Sequence, residues 1–406
     1  MAFAALGCHV EVLCARGHPA THVGAVERIH LASALRPAAT LRAAIAMARP
    51  DLVIPCDDGA AVQLAELHRH SRGLEAAGAA LDALLRSSLG DPQACLLATA
   101  RGLLLQLASA QGIRIPHTEV IPDAAALSAA LSKRTLPAVL KIDSTWGGLG
   151  VAIVHERAQA QRGFARMSMH PPLAGALARL LLDRDLAPLL DAMKRGRRTV
   201  TLQDFIVGTP ANRAVACRQG RVLAGTSVVA VHTQDRTGPA TVVRVIDNPE
   251  MTEAARRLVA RLGLSGLWGI DFVLAASTGA AYMIEMNPRA TPICHLPLGP
   301  GHDLPAALVS SWTGGAPVAR LRAIPGRTVA IFPGEWERDP ASPHLRDDWH
   351  DIPWDEPDLV RDGIGLPWHE RGLVARAWAA LRPRRVAAPA PAPAQAIEPG
   401  EPARHT

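Results

Sequence analysis

The sequence predicts an α/β chain, α+β in its larger part, and three stretches carry that expectation. Early on, an apolar run ending in acids, Asp51-Leu-Val-Ile-Pro-Cys-Asp-Asp58, reads as a strand. It leads into a helical pattern carrying Val62, Leu64 and Leu67, the alternation of a parallel α/β layer. Mid-chain, Leu136 to Val154 reads as strand, glycine-rich loop, strand. Later, the apolar runs Leu267–Leu274 and Tyr282–Ile284 are joined by Ala-Ser-Thr-Gly-Ala, a connection of hairpin length.

Composition sets the frame. At 406 residues the chain can hold two or three domains with full cores. Its 49% hydrophobic and 20% charged residues fit a globular protein, and no apolar run is long enough to span a bilayer. The net charge of +6 comes from Arg scattered among Asp and Glu, with no basic block interleaved with aromatics, so nucleic acid is not an expected partner. No signal peptide is apparent, and a cytoplasmic location is expected. The six cysteines (Cys8, Cys14, Cys56, Cys95, Cys217, Cys294) include no Cys-x-x-Cys pair, and most are expected as buried thiols. His68 and His70 fall on different sides of one helix and are expected at the surface rather than on zinc.

Taken in order, Leu6 to Cys14 reads as a helix end, a turn and a strand, as if the chain began partway through the first helix of an α/β unit, with its first strand missing or upstream. Gly90-Asp-Pro-Gln opens a helix, with Asp91 as cap and Pro92 in its first position. A second helix covers Arg101 to Ala110, and Ile113 to Ile121 is extended. Residues 161 to 198 look helical, with a solvated basic turn from Lys194 to Arg198. Thr199 to Gly208 is a strand entering a bend, and Ala214 to Val231 alternates through a turn at Gln219-Gly220. Pro249 to Leu262 is a helix, and beyond about residue 320 the periodicity weakens. Ala387 to Thr406, rich in Pro and Ala, is expected to be disordered.

Two of these stretches carry chemistry. In Lys141-Ile-Asp-Ser-Thr-Trp-Gly147-Gly-Leu-Gly150, a glycine-rich loop would let backbone N–H groups approach phosphate oxygens while Lys141 adds a point charge. It is neither a Walker loop nor a dinucleotide fingerprint, and an ordinary hairpin with a glycine turn has the same pattern. In Glu285-Met-Asn287-Pro-Arg289 three polar residues stand at alternate positions, so they can leave one face of a strand. Antiparallel pairing would bring Asp271 close to Glu285. Asp271, Glu285 and Asn287 then suit a magnesium ion bridging phosphates, with Arg289 holding further negative charge. A solvated strand end is the alternative.

The order Arg101, Lys141 with its glycine loop, Gln203-Asp204-Phe-Ile206, Asp271 and Glu285-Met-Asn-Pro-Arg289 resembles the ATP-grasp superfamily, and within it the synthetase halves of the carbamoyl phosphate synthetase large subunit. The resemblance covers about residues 90 to 310. It implies a shortened Rossmann-like pre-ATP-grasp domain over 1–89 and an ATP-grasp domain over 90–320 with a lid subdomain at about 113–205. A C-terminal accessory segment at 321–386 and the tail at 387–406 would follow. It implies that Arg101 and Lys141 contact nucleotide phosphates, that Gly147, Gly148 and Gly150 belong to the lid, and that Gln203, Asp204 and Ile206 lie along the adenine hinge. Asp271, Glu285 and Asn287 match its ligands for Mg2+ (or Mn2+), Arg289 matches the Arg beside the transferred phosphate, and Arg236 falls in a segment lining the reaction centre. Where the family commonly grips the ribose with an acid, this chain has Ala211 with Asn212 beside it, so ribose binding is expected either to be weaker or to be managed by Asn212.

The activity so implied is an ATP-dependent carboxylate–amine (or carboxylate–nucleophile) ligase working through an acyl phosphate. Its partners would be small-molecule carboxylates and amines, with Arg213 and Arg236 hinting at an anionic acceptor, and a homodimer is a family expectation. The alternatives are a kinase-like ATP-grasp enzyme that stops at phosphorylation and a non-catalytic nucleotide-binding protein.

Overall fold

The structure, a computed structural model, describes residues 1–33, 35–71, 76–142, 150–170, 198–235, 238–315 and 326–365. A 3₁₀ turn, Ala4–Leu6, ends at Gly7 with φ of 80°, and β1 (Glu11–Cys14) then pairs in parallel with β2 (Arg28–Leu31). The helices α1 (Pro37–Ala48), α2 (Asp58–Ser71) and α3 (Ala76–Leu89) follow. Asp51 to Asp58 was expected as a strand, and no ladder forms there. Its backbone is committed elsewhere: Val53 N–H donates to Ser88 Oγ at 3.0 Å, and Pro55 O accepts from Ala290 N–H at 3.0 Å. This run is therefore a strap onto the larger sheet rather than a sheet member. His68 also departs from expectation, being fully buried with Nε2 at 2.5 Å from Asp82 Oδ1. A partner on the neighbouring helix lets its ring enter the core.

The next unit is built on α4 (Pro92–Thr99) and α5 (Arg101–Ala110), with Asp91 Oδ1 capping α4 through Gln93 N–H at 2.8 Å. Beyond them β3 (Thr118–Ile121), α6 (Ala124–Ser132), β4 (Ala138–Ile142), β5 (Val151–Val154), α7 (Arg157–Met167) and β6 (Val200–Asp204) make an antiparallel sheet in the order β3-β6-β4-β5. Leu127 and Leu131 of α6 and Phe164 of α7 close over Leu140 and Leu202 of that sheet. Of the helix expected over 161 to 198, α7 supplies the part up to Met167; 168–170 and 198 are not helical, and 171–197 with most of the basic turn lie outside the described residues.

The larger sheet contains β7 (Gly208–Arg218), β8 (Arg221–Thr233), β9 (Ala240–Ile246), β10 (Gly266–Ala275), β11 (Ala281–Asn287), β12 (Thr328–Ala330) and β13 (Trp349–His350), in the order β11-β10-β7-β8-β9-β12-β13. Gln219 and Gly220, with φ of 50° and 77°, make the tight β7–β8 turn. Gly208 opens β7 because the backbone passes under its neighbour, where a Cβ would lie 2.1 Å from Leu274 O. Beyond 320, where the chain is described, β12 pairs with β9 and carries β13 on its far side.

One face of this sheet is covered by α2 to α5 and by α8 (Pro249–Leu262). The α8 positions Met251, Ala254, Ala255, Leu258 and Val259 fall on one helical stripe, which packs against Trp268, Ile270, Phe272 and Met283. Asn248 caps α8 at 3.0 Å from Met251 N, and Gly263 ends it at φ of 60°. The opposite face carries Ala214, Ala216 and Leu267 under α9 (Leu304–Thr313). That second face also bears the acids.

Candidate active site

The site grows from strand register. Directly opposed residues of antiparallel strands point the same way. Asn212 of β7 stands opposite Asp271 of β10, and Asp271 stands opposite Glu285 of β11, so three polar side chains form one row across three strands. A bulge makes this alignment. Phe272 pairs with Met283 while Asp271 pairs with Glu285, which leaves Ile284 as the extra residue. In unbroken register Glu285 would face Ile270 and enter the core. Asn287, opposite Gly269, continues the row along β11. Gly269 has no room for a side chain, since a Cβ there would meet Thr291 Cγ2 at 2.2 Å.

Hydrogen bonds lock the row. Asn212 Nδ2 donates to Asp271 Oδ1 at 2.6 Å, and Asn287 Nδ2 donates to Asp271 Oδ2 at 2.8 Å. Burial pushes the Asp271 carboxyl above its ordinary value, and the Glu285 charge adds to that. Arg101, the first residue of α5, reaches both sheets: its guanidinium donates to Ile142 O in the smaller sheet and to Glu285 Oε1, at 2.7 Å, in the larger. Lys141, next to Ile142 on β4, is buried. That burial lowers its ammonium from 10.5 to about 8; Glu285 and Asp271 partly oppose the shift, and Arg101 reinforces it.

Arg289 lies just past β11, and its Nε donates to Asp58 Oδ2 at 2.8 Å. Asp58 is the first residue of α2, so the N-terminal part of the chain reaches the site through this ion pair and through Ala290 N–H to Pro55 O. Burial raises the Asp58 carboxyl, against the pull of Arg289. Asp58 was not among the expected site residues. Its only sequence signal was the pair of acids ending the 51–58 run, and the pairing spans 231 positions in the chain.

The other expected residues scatter. Gln203 is buried, with Nε2 at 3.0 Å from Thr118 Oγ1. The Asp204 carboxylate accepts from Arg134 Nε at 2.7 Å, and Ile206 is half-buried in the bend between the two sheets. Gly150 precedes β5 at φ of 77°, its carbonyl accepting from Ile142 N–H at 3.0 Å. Gly147, Gly148 and Arg236 lie outside the described residues. Asn212, expected on the ribose, donates to Asp271. Arg213 pairs with Ile270 and so turns to the opposite, helix-covered face, where its guanidinium donates to Ser227 Oγ at 2.8 Å. Burial there lowers Arg213 to about 10.

The donors gathered on the row are two carboxylates and two carboxamides, the oxygen chemistry that a hard divalent cation takes, with no thiolate or imidazole among them. Among the described residues no group of three or more His, Cys, Asp or Glu side chains could hold a metal, and here the amides complete the set. Asn212 Oδ1 is buried with no hydrogen-bond partner, an orphaned acceptor beside Asp271 that a cation would satisfy. The residues present therefore fit magnesium or manganese.

This arrangement, two sheets with an acid row between them, is an ATP-grasp fold. The sequence family described as an ATP-grasp domain matches residues 188–292. Solved structures agree on the fold. The biotin carboxylase domain of 2-oxoglutarate carboxylase from Hydrogenobacter thermophilus, a dimer in complex with MgADP, ADP and bicarbonate, aligns over 80% of this chain and 69% of that one (TM-score 0.56, 14% identity). N5-carboxyaminoimidazole ribonucleotide synthetase from Thermus thermophilus aligns over 80% and 77% (0.53, 18%). Phosphoribosylglycinamide synthetase from Anaerococcus prevotii aligns over 80% and 75% (0.52, 14%). No curated protein matches the chain by sequence. The chain thus contains an ATP-grasp domain, and the comparisons do not single out the carbamoyl phosphate synthetase halves. No described helix is long and apolar enough to cross a membrane.

Proposed function

We propose that this chain is an ATP-dependent carboxylate–amine, or carboxylate–nucleophile, ligase. The observation that carries the reading is the acid–amide row of the larger sheet, with Lys141 and Arg101 brought against it from β4 and α5. In such a reaction a substrate carboxylate oxygen attacks the γ-phosphorus of ATP, and the β–γ bridging P–O bond breaks to release ADP. The amine nitrogen then attacks the acyl carbon, loses a proton, and the C–O bond to phosphate breaks. Bound magnesium, held by Asp271, Glu285 and the Asn287 amide, would neutralise the charge spread over the phosphate oxygens.

The chain's own residues have defined parts. Lys141 and Arg101 supply positive charge from buried positions, where electrostatic stabilisation is strongest. Arg101 already bonds to a residue of each sheet. Arg289 is the cation beside the transferred phosphate, and Asp58 holds its Nε until an anion competes for it. Gly147, Gly148, Gly150 and Arg236 are proposed for the covering loops, and Gln203, Asp204 and Ile206 for the adenine hinge. For Asp204 the backbone carries that role, because its carboxylate is engaged by Arg134. A homodimer is proposed by analogy with the dimeric biotin carboxylase domain.

The test is ATP consumption across a matrix of small carboxylates and amines, with hydroxylamine added to trap an acyl phosphate as a hydroxamate. Hydroxamate dependent on one carboxylate, lost in Glu285→Gln, supports the ligase. A stable phosphorylated product with no amine requirement favours the kinase-like alternative.

A further inference from the structure

We propose that Asn212 is a ligand of the divalent cation at this site, turning its amide oxygen to the metal, and not a ribose contact. The inference rests on the site reading above and adds a fourth oxygen to it. Three observations carry it. First, Asn212 stands in the acid row itself, directly opposite Asp271, which is directly opposite Glu285. Second, its Nδ2 lies 2.6 Å from Asp271 Oδ1, as Asn287 Nδ2 lies 2.8 Å from Asp271 Oδ2, so the two amides clasp the central carboxylate from either side. Third, Asn212 Oδ1 is buried without a hydrogen-bond partner.

A buried carbonyl oxygen without a donor is unfavourable, and close to a pair of carboxylates it is an acceptor among acceptors. The arrangement makes sense as the cation-free half of a two-state amide. A carboxamide presents nitrogen or oxygen to the same neighbour by a half-turn about Cβ–Cγ. Without a cation, the NH2 group faces the carboxylate. With a dication against Asp271 the preference reverses, because positive charge repels the N–H dipoles and attracts the oxygen. The same half-turn serves Asn287. Two carboxylates and two amide oxygens then face the metal with a formal charge of −2, leaving the remaining positions to phosphate oxygens and water.

The experiment is a Mn2+ titration followed by electron paramagnetic resonance of the free ion. It uses the full chain in the presence of ADP and, separately, of inorganic tripolyphosphate, for wild type, Asn212→Ala and Asn212→Asp. Melting curves without metal accompany each variant. Asn212→Ala should weaken Mn2+ binding about 10-fold or more, the range seen on losing groups around a metal, and to the same extent with tripolyphosphate as with ADP. Asn212→Asp, which sets a further carboxylate beside Asp271, should melt lower than wild type without metal and regain its stability, with Mn2+ bound at least as tightly as in wild type. A defect in Asn212→Ala that is present with ADP and absent with tripolyphosphate would place Asn212 on the ribose and overturn the proposal. Loss of Mn2+ binding in a folded Asn212→Asp would overturn it too, showing a purely structural clamp on Asp271. If wild type binds no Mn2+ with either polyphosphate, the site reading itself fails, and this assignment with it.

Discussion

Arg101 ties the two sheets together, and removing it has a calculable consequence. Its side chain is 4% exposed and that of its partner Glu285 24% exposed, with Nη2 and Oε1 2.7 Å apart. Its other arm donates to Ile142 O. In Arg101→Met the methylenes are largely kept and the charge is lost. Glu285 then faces Asp271 across the ladder without its guanidinium, and the Ile142 carbonyl loses a donor. Breaking a fully buried pair costs about 3–5 kcal/mol, and the quarter-exposed carboxylate can recruit water, so about 2–3 kcal/mol is expected here. Urea unfolding at neutral pH should show a lower midpoint with an unchanged slope. A cycle with Glu285→Gln isolates the pair, and its coupling should be about 1–2 kcal/mol, as for charge-assisted bonds between residues in contact. A variant within about 0.5 kcal/mol of wild type, or a coupling near zero, would refute the reasoning and leave Arg101 a bystander.

Lys141 is lowered from 10.5 to about 8, so MgADP affinity measured by calorimetry should fall as pH rises through about 8, whereas Lys141→Arg should stay flat to pH 9.5. The stability linkage runs with the opposite sense. Unfolded chains keep this proton to a higher pH than the folded protein does, so the Lys141 contribution to stability should rise with pH between about 8 and 10.5 and be absent from Lys141→Met. Asp58→Asn should destabilise the chain by about 1 kcal/mol in urea, because a partly exposed pair contributes modestly, and should speed hydrogen exchange at the Ala290 amide that the same strap holds. Gly208→Ala should cost more than about 2 kcal/mol in the same unfolding assay, since its Cβ would meet backbone at Leu274 O at 2.1 Å.

Much of the fold was legible because its signals are local. The α8 stripe with Asn248, Pro249 and Gly263 at its ends, the Gln219-Gly220 turn and the Asp91-Pro92 start each rest on residues within a few positions of one another. The pairing of Asp271 with Glu285 was also readable, because a short turn between two apolar runs forces them antiparallel. The bulge at Ile284, which makes that pairing land on the right face, has no sequence mark: Ile284 looks like any strand residue. What failed to show was long-range. The 51–58 run has the composition of a strand, and only Ser88 and Ala290, both distant in sequence, divert its backbone. Asp58 on Arg289 and the burial of His68 on Asp82 likewise depend on partners that no spacing rule identifies. Asn212 was noticed for what it replaces, and its neighbour became visible only once β7 had a register against β10.

Asp271, Glu285 and the two amides are proposed to hold a metal–nucleotide pair. The most direct test is thermal unfolding with ADP and magnesium, against ADP with excess chelator, for wild type and Glu285→Gln. At about a hundredfold the dissociation constant, a ligand of the folded state alone adds about 2.7 kcal/mol, a readily measured rise in melting temperature. Wild type should show this rise only with magnesium, and Glu285→Gln should lose most of it. Equal stabilisation with and without chelator, a full response in Glu285→Gln, or no response at millimolar ADP would contradict it.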